Sequence, residues 1–190
     1  MTTRPRGSLR AILRGMGLIA RGRPEGLNCF GDTPKAFAAS LTPGLGFMAG
    51  SLAQGLAAGQ GMGAVLDLLS PFCALLAPPV LSYELARLWG REAFWHRYIV
   101  AYNWSRWLLL GLVLLAFVLV SLARGLGLMR QGGLSACLIG IALYALWLNW
   151  FTARHGLALS RGRAALLVFA VNLGTVLLVI GPGLLGRAPP

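Results

Sequence analysis

The sequence predicts an all-α membrane protein: a polytopic bundle of about five transmembrane helices, preceded by an N-terminal interfacial amphipathic helix. Three observations carry this. Apolar residues make up 57% of the 190 residues and charged ones only 12%, against roughly 45–50% and 25% in soluble domains. The apolar residues come in long runs, one of which carries no charge from Ala36 through Leu66. The charge is mostly basic, 17 Lys and Arg against 5 Asp and Glu, and it lies between the runs. Water cannot solvate such an apolar excess and a bilayer can. Basic residues interleaved with apolar spans point to anionic lipid headgroups rather than to nucleic acid. Lys35 is the one lysine, which with the many Gly and Ala fits a GC-rich bacterial genome.

Residues 1–34 form a basic tail. Within it Leu9, Ile12, Leu13, Met16 and Ile19 recur at helical spacing, with Arg10, Arg14 and Arg21 on the other side. Such a helix lies in a headgroup layer, where those three arginines meet lipid phosphates; a disordered basic tail is the alternative. No clear small-residue cleavage site follows, so a signal peptide fits poorly.

The transmembrane domain is expected over 35–187, with residues 188–190 as a stub. Asp32-Thr33-Pro34 is a helix start, since Asp or Thr caps free N–H groups and Pro suits the first turn. The first span is placed at 36–57, with a turn at 59–63. It is the least hydrophobic of the set. Its small residues Ser40, Gly44, Gly46, Gly50, Gly55 and Gly59 fall in pairs four apart, the spacing that lets helix backbones approach in lipid. This predicts packing inside the bundle or at a partner interface, with a re-entrant loop as the alternative. The second span, 64–86, contains Pro71, Pro78 and Pro79, and a kink is expected. Residues 91–107 mix Arg91, Arg97 and Arg106 with six aromatics, a composition suited to the membrane interface. The remaining spans are placed at 107–123, 134–151 and 164–185.

Positive charge orients the bundle. Five spans put the N-terminus on the same side as the second and fourth loops. That side holds seven basic residues in the tail (Arg4, Arg6, Arg10, Arg14, Arg21, Arg23, Lys35). The second loop adds four (Arg87, Arg91, Arg97, Arg106) and the fourth adds three (Arg154, Arg161, Arg163), fourteen in all. The other side holds three: Arg124, Arg130 and Arg187. The imbalance places the N-terminus in the cytoplasm of a bacterial inner membrane and checks the number of spans.

Polar groups at membrane depth are the functional candidates. Asp67 is the one acid near the outer end of an expected span, roughly 6 Å in, and reads as a proton or cation site or as an interfacial carboxylate. Asn172, midway along the fifth span, reads as helix–helix glue or a substrate contact. Glu84, Arg87, Asn103, Arg106, Asn149, Arg154 and His155 gather near the inner face, as a binding surface or a solvated rim. Cys29, Cys73 and Cys137 form no C-x-x-C, and His96 and His155 lack an acid at ligand spacing, so no metal site is expected. Without serine-hydrolase, zincin or Walker signatures, neither catalytic residues nor a cofactor are assigned.

Five spans, a basic N-terminus and the stretch RYIVAYNW at Arg97–Trp104 resemble small bacterial inner-membrane proteins near the Yip1-domain family, over roughly residues 30–185 and at the level of layout. The resemblance implies a five-helix protein. The Asp-Leu-Tyr-Gly-Pro motif of the eukaryotic members is missing, so their vesicle-traffic role and functional residues are not carried over. The expected role is a non-enzymatic scaffold or accessory subunit, acting through helix packing and the basic surface on a protein partner or a second copy. A small oligomeric transporter or permease component is the alternative, and a lipid-acting enzyme has too few acid–base groups.

Overall fold

A computed structural model describes residues 8–127 and 132–185, the last five by backbone alone. Arg4, Arg6, Arg130, Arg187 and the stub at 188–190 lie outside it. The described residues form α-helices and short 3₁₀ turns without a strand.

Helix α1 (Leu9–Ala20) is the expected basic amphipathic helix, and Ser8 caps it by accepting from the Ala11 N–H at 3.3 Å. Its apolar side is divided. Ile12 and Ile19 are buried, whereas Leu9 and Leu13 are exposed next to the outward Arg10 and Arg14. The chain then folds back through a 3₁₀ turn at Pro24–Cys29. Two glycines permit this: a Cβ on Gly15 would stand 2.9 Å from the Cys29 Cβ, and one on Gly26 would stand 2.7 Å from the Gly15 carbonyl oxygen. Ile12, Ile19, Leu27 and Phe30 pack with Val100, Ala101, Leu148 and Phe151. The Tyr144 hydroxyl donates to the Ala20 carbonyl at 2.8 Å, satisfying one of the acceptors a helix end leaves open. The amphipathic helix is therefore docked on the bundle, with one flank left exposed.

Helix α2 (Pro34–Ala57) starts as expected, with Thr33 Oγ1 accepting from the Ala36 N–H at 3.2 Å and Pro34 in the first turn. It ends in a turn where Gly59 and Gly61 take φ of +76° and +53°, a region glycine enters without penalty. The second span is broken once, between α3 (Met62–Leu66) and α4 (Leu69–Leu88). Pro71 explains the place, since it lacks the N–H that would bond to the Asp67 carbonyl. Helix α4 then continues through Pro78 and Pro79, leaving the carbonyls of Ala74 and Leu75 without intrahelical partners.

Helix α5 runs from Trp95 to Gly125 and begins twelve residues before the expected 107. The aromatic segment is its first three turns, because Trp95, Tyr98, Ile99 and Tyr102 recur at helical spacing and are buried together. At about 46 Å it exceeds a hydrocarbon core of roughly 30 Å. Helix α6 (Gly133–Gly156) likewise runs past the expected 151, and α7 spans Arg161–Leu185. The α6–α7 turn places Ala158 at φ +52° between buried Leu157 and Leu159. Arg97 joins α5 to this turn by donating from Nη2 to the Gly156 carbonyl at 3.1 Å.

Among the described residues five helices are long and apolar enough to cross a membrane: α2, the α3–α4 pair, α5, α6 and α7. The core lies at one end of them. Ala86, Trp95, Tyr98, Ile99, Ala153, Leu157, Ala164 and Leu167 are buried where α4 ends, α5 begins, α6 ends and α7 begins. The α1 hairpin packs at that end too, together with the two basic turns. Further along the same helices Leu115, Phe117, Leu119, Leu143 and Leu177 are about half or more exposed. Apolar surface so extensive needs a solvent other than water.

Candidate functional site

The most developed polar arrangement lies between α2, α4 and α5, at the edge of this core. Ser40 and Asn103 are 2% and 4% exposed. The Asn103 amide donates from Nδ2 to Ser40 Oγ at 2.8 Å, and Ser40 Oγ donates to the Phe37 carbonyl one turn back at 2.7 Å. One turn along α5, Arg106 donates from Nη1 to the Ala74 carbonyl at 3.2 Å. That is the carbonyl that Pro78 deprives of its helical partner. The proline thus creates an acceptor, and an arginine on the neighbouring helix takes it.

Beyond the Ser40–Asn103 pair the three helices part around a cavity of about 360 Å³, whose walls include Gly44, Phe47, Met48, Pro71, Leu75, Trp107 and Leu110. Its volume is in the lower range of small-molecule pockets, roughly 300–1,000 Å³. The walls are apolar and the polar groups sit together at one end. A Cβ on Gly44 would come within 3.0 Å of Leu75 Cδ1, so the small residue sets the approach of α2 to α4.

Ser40→Ala removes the acceptor of a buried amide donor. We expect it to destabilise the detergent-solubilised protein by about 1–3 kcal/mol, and adding Asn103→Leu to recover much of that, because two apolar groups leave no unmet donor. A double variant as unstable as the sum of the single ones, in thermal unfolding, would contradict the pairing.

The small residues of α2 divide between two faces. Ser40, Gly44 and Gly55 point into the bundle, Gly55 so closely that its Cβ would stand 2.6 Å from that of Ala64. Gly46 and Gly50 meet nothing within 4 Å and share the opposite side with exposed Thr42, Ala53 and Ala57. Gly59 belongs to the turn. Asp67 follows α3 and is exposed. Asn172 donates from Nδ2 to the Val168 carbonyl of its own helix at 2.7 Å. These two are not brought together: Asp67 is roughly 20 Å along the helix from Leu81, whose side chain meets Gly174 near Asn172. Of the residues expected near the inner face, Asn103 and Arg106 join the cavity, whereas Arg154 lies over the Trp150 ring and His155 against Phe151. Arg10, Arg14 and Arg21 are exposed along α1. No three of the His, Cys, Asp and Glu side chains among the described residues are placed to hold a metal ion together.

No local pattern signals the Ser40–Asn103 bond, whose partners are 63 residues apart. The Arg106 contact had half a signal, since a proline within a helix always frees the carbonyl four residues earlier.

With its exposed apolar spans and one packed basic end, the chain is a multi-pass α-helical membrane protein. No family model matches it, and no curated protein or solved structure matches it significantly.

Proposed function

We propose that the protein is a non-enzymatic membrane scaffold or accessory subunit that pairs through α2 with a transmembrane helix of a partner or a second copy. The observation that carries this is the outward face of α2. Gly46 and Gly50 have open space where a Cβ would be, and exposed Thr42, Ala53 and Ala57 extend the same side. In lipid, helices associate by close packing of such small residues. In this reading the membrane is a bacterial inner membrane, with the N-terminus and the two basic turns in the cytoplasm.

The test is cross-linking in native membranes with the paired variant Gly46→Leu/Gly50→Leu. Because neither position touches the bundle, the variant is expected to insert and fold like the wild type while losing at least tenfold in yield of one defined cross-linked species. An unchanged cross-linking pattern in a folded variant would remove the basis for the proposal. A transporter component is the second reading, supported by the break between α3 and α4, since broken helices line substrate sites in many transporters. It requires flux in proteoliposomes that falls with Asp67→Asn.

A further inference from the structure

We propose that the cavity between α2, α4 and α5 is a binding site for one anionic phospholipid, whose phosphate pairs with Arg106 and whose acyl chain lies along the apolar walls. The argument begins with the direction of the polarity. On α2 the order toward the interior of the bilayer is Ser40, Gly44, then Phe47 and Met48. On α5 it is Asn103, Arg106, then Trp107 and Leu110. On α4, which runs the other way, Ala74 and Leu75 stand level with the polar end and Pro71 lies deeper. All these residues line the cavity. Three helices thus present polar groups at the same level and apolar ones beyond it, the gradient of a lipid lying along the membrane normal.

Depth agrees with this. Arg106 is the last charge of α5 before an uncharged stretch that reaches Arg124, so it stands at the start of the apolar part of that helix. Trp107 beside it is the residue type that marks this boundary. The walls are not sealed: Phe47 is 71% and Leu110 45% exposed, so an acyl chain can enter sideways from the bilayer.

Charge complementarity chooses the occupant. The one described hydrogen bond of Arg106 goes to a neutral carbonyl, which leaves most of the five donors of its guanidinium for a ligand. That bond also aims the group across the polar mouth. A guanidinium takes a phosphate with two parallel hydrogen bonds, and a charge at this depth is costly without a counter-charge. The lipid face is distinct from the Gly46–Gly50 face, so the inference stands independently of helix pairing by α2.

The test is native mass spectrometry of the detergent-purified full chain, titrated with dioleoylphosphatidylglycerol. One retained lipid per chain is expected for the wild type. Arg106→Gln should weaken it at least tenfold, as should Met48→Trp, which fills the cavity without touching the charge. Arg124→Gln, at the other end of α5, should leave it unchanged, and circular dichroism with gel filtration confirms that each variant is folded. Equal lipid retention by the wild type and both cavity variants overturns the proposal. So does displacement of the lipid by millimolar inorganic phosphate, which would mark a small-anion site, or equal retention of dioleoylglycerol, which carries no phosphate.

Discussion

Replacing Trp95 with alanine is expected to lower the stability of the detergent-solubilised protein by about 3–5 kcal/mol, the largest effect of any single change considered. Trp95 opens α5 and is 8% exposed. Its ring lies 5.3 Å from that of Phe37 on α2 and 5.2 Å from that of Tyr83 on α4. Its indole Nε1 donates to the buried Ser82 Oγ at 3.1 Å. Three spans therefore meet on one side chain, and truncation leaves a void and takes one donor from the buried Ser82 hydroxyl, which keeps its own bond to the Pro79 carbonyl. At roughly 2–4 °C per kcal/mol for a chain of this size, the midpoint of thermal unfolding should fall by about 10 °C. Trp95→Phe keeps most of the packing and should cost less than half as much. A midpoint for Trp95→Ala within about 2 °C of wild type would show that the helices hold together without this contact.

Gly15→Leu should release the N-terminal hairpin. The added Cβ would stand 2.9 Å from Cys29 Cβ and 3.0 Å from the Gly26 carbonyl oxygen, and backbone cannot step aside as a flexible side chain can. Overpacking of this kind costs about 1–3 kcal/mol and at times more, concentrated here on a unit that docks on the bundle through Ile12, Ile19, Leu27 and Phe30. Since about 1.4 kcal/mol is tenfold in population, trypsin should cut after Arg14 or Arg21 roughly ten- to a hundredfold faster than in the wild type. The spans themselves should stay folded. Gly17→Leu is the control, because nothing lies within 4 Å of its Cβ position. Equal cleavage of Gly15→Leu and Gly17→Leu would mean that the hairpin does not depend on this close approach.

These two changes mark where sequence reasoning succeeds and where it stops. The helical spacing of Leu9, Ile12, Leu13, Met16 and Ile19 was enough to identify an amphipathic helix. It was not enough to say which apolar side chains meet protein and which stay exposed, because apolar residues suit both a protein core and a bilayer. The aromatic stretch before 107 shows the same limit in another form. Its tryptophans and arginines match the composition of a membrane interface, yet they also form three helical turns whose buried face is assembled from α4, α6 and α7. Composition reports the solvent a residue tolerates; periodicity alone reports the element it occupies.

The small residues of α2 are a third instance. Spacing by four set Ser40/Gly44 and Gly46/Gly50 out as equivalent pairs. Only the position of Leu75 and Asn103 distinguishes the pair that closes the bundle from the pair that remains open. Asn172 and Asp67 stood out because polar groups are rare in apolar runs, but an amide can bond within its own helix, as Asn172 does, and rarity does not reveal that.

What the sequence by itself determined is the solvent and the count: hydrocarbon around five apolar helices, a basic surface helix ahead of them, and the caps and glycine turns that start and stop the spans. These follow from local chemistry, since hydration, N-capping and the proline ring act over a few residues at most. Tertiary structure alone decided which end carries the core, which face of α2 stays open, and that Ser40, Arg106 and the carbonyl freed by Pro78 share one cavity. Those are relations between groups tens of residues apart, and they arise only when three helices pack and leave a space that none of them fills.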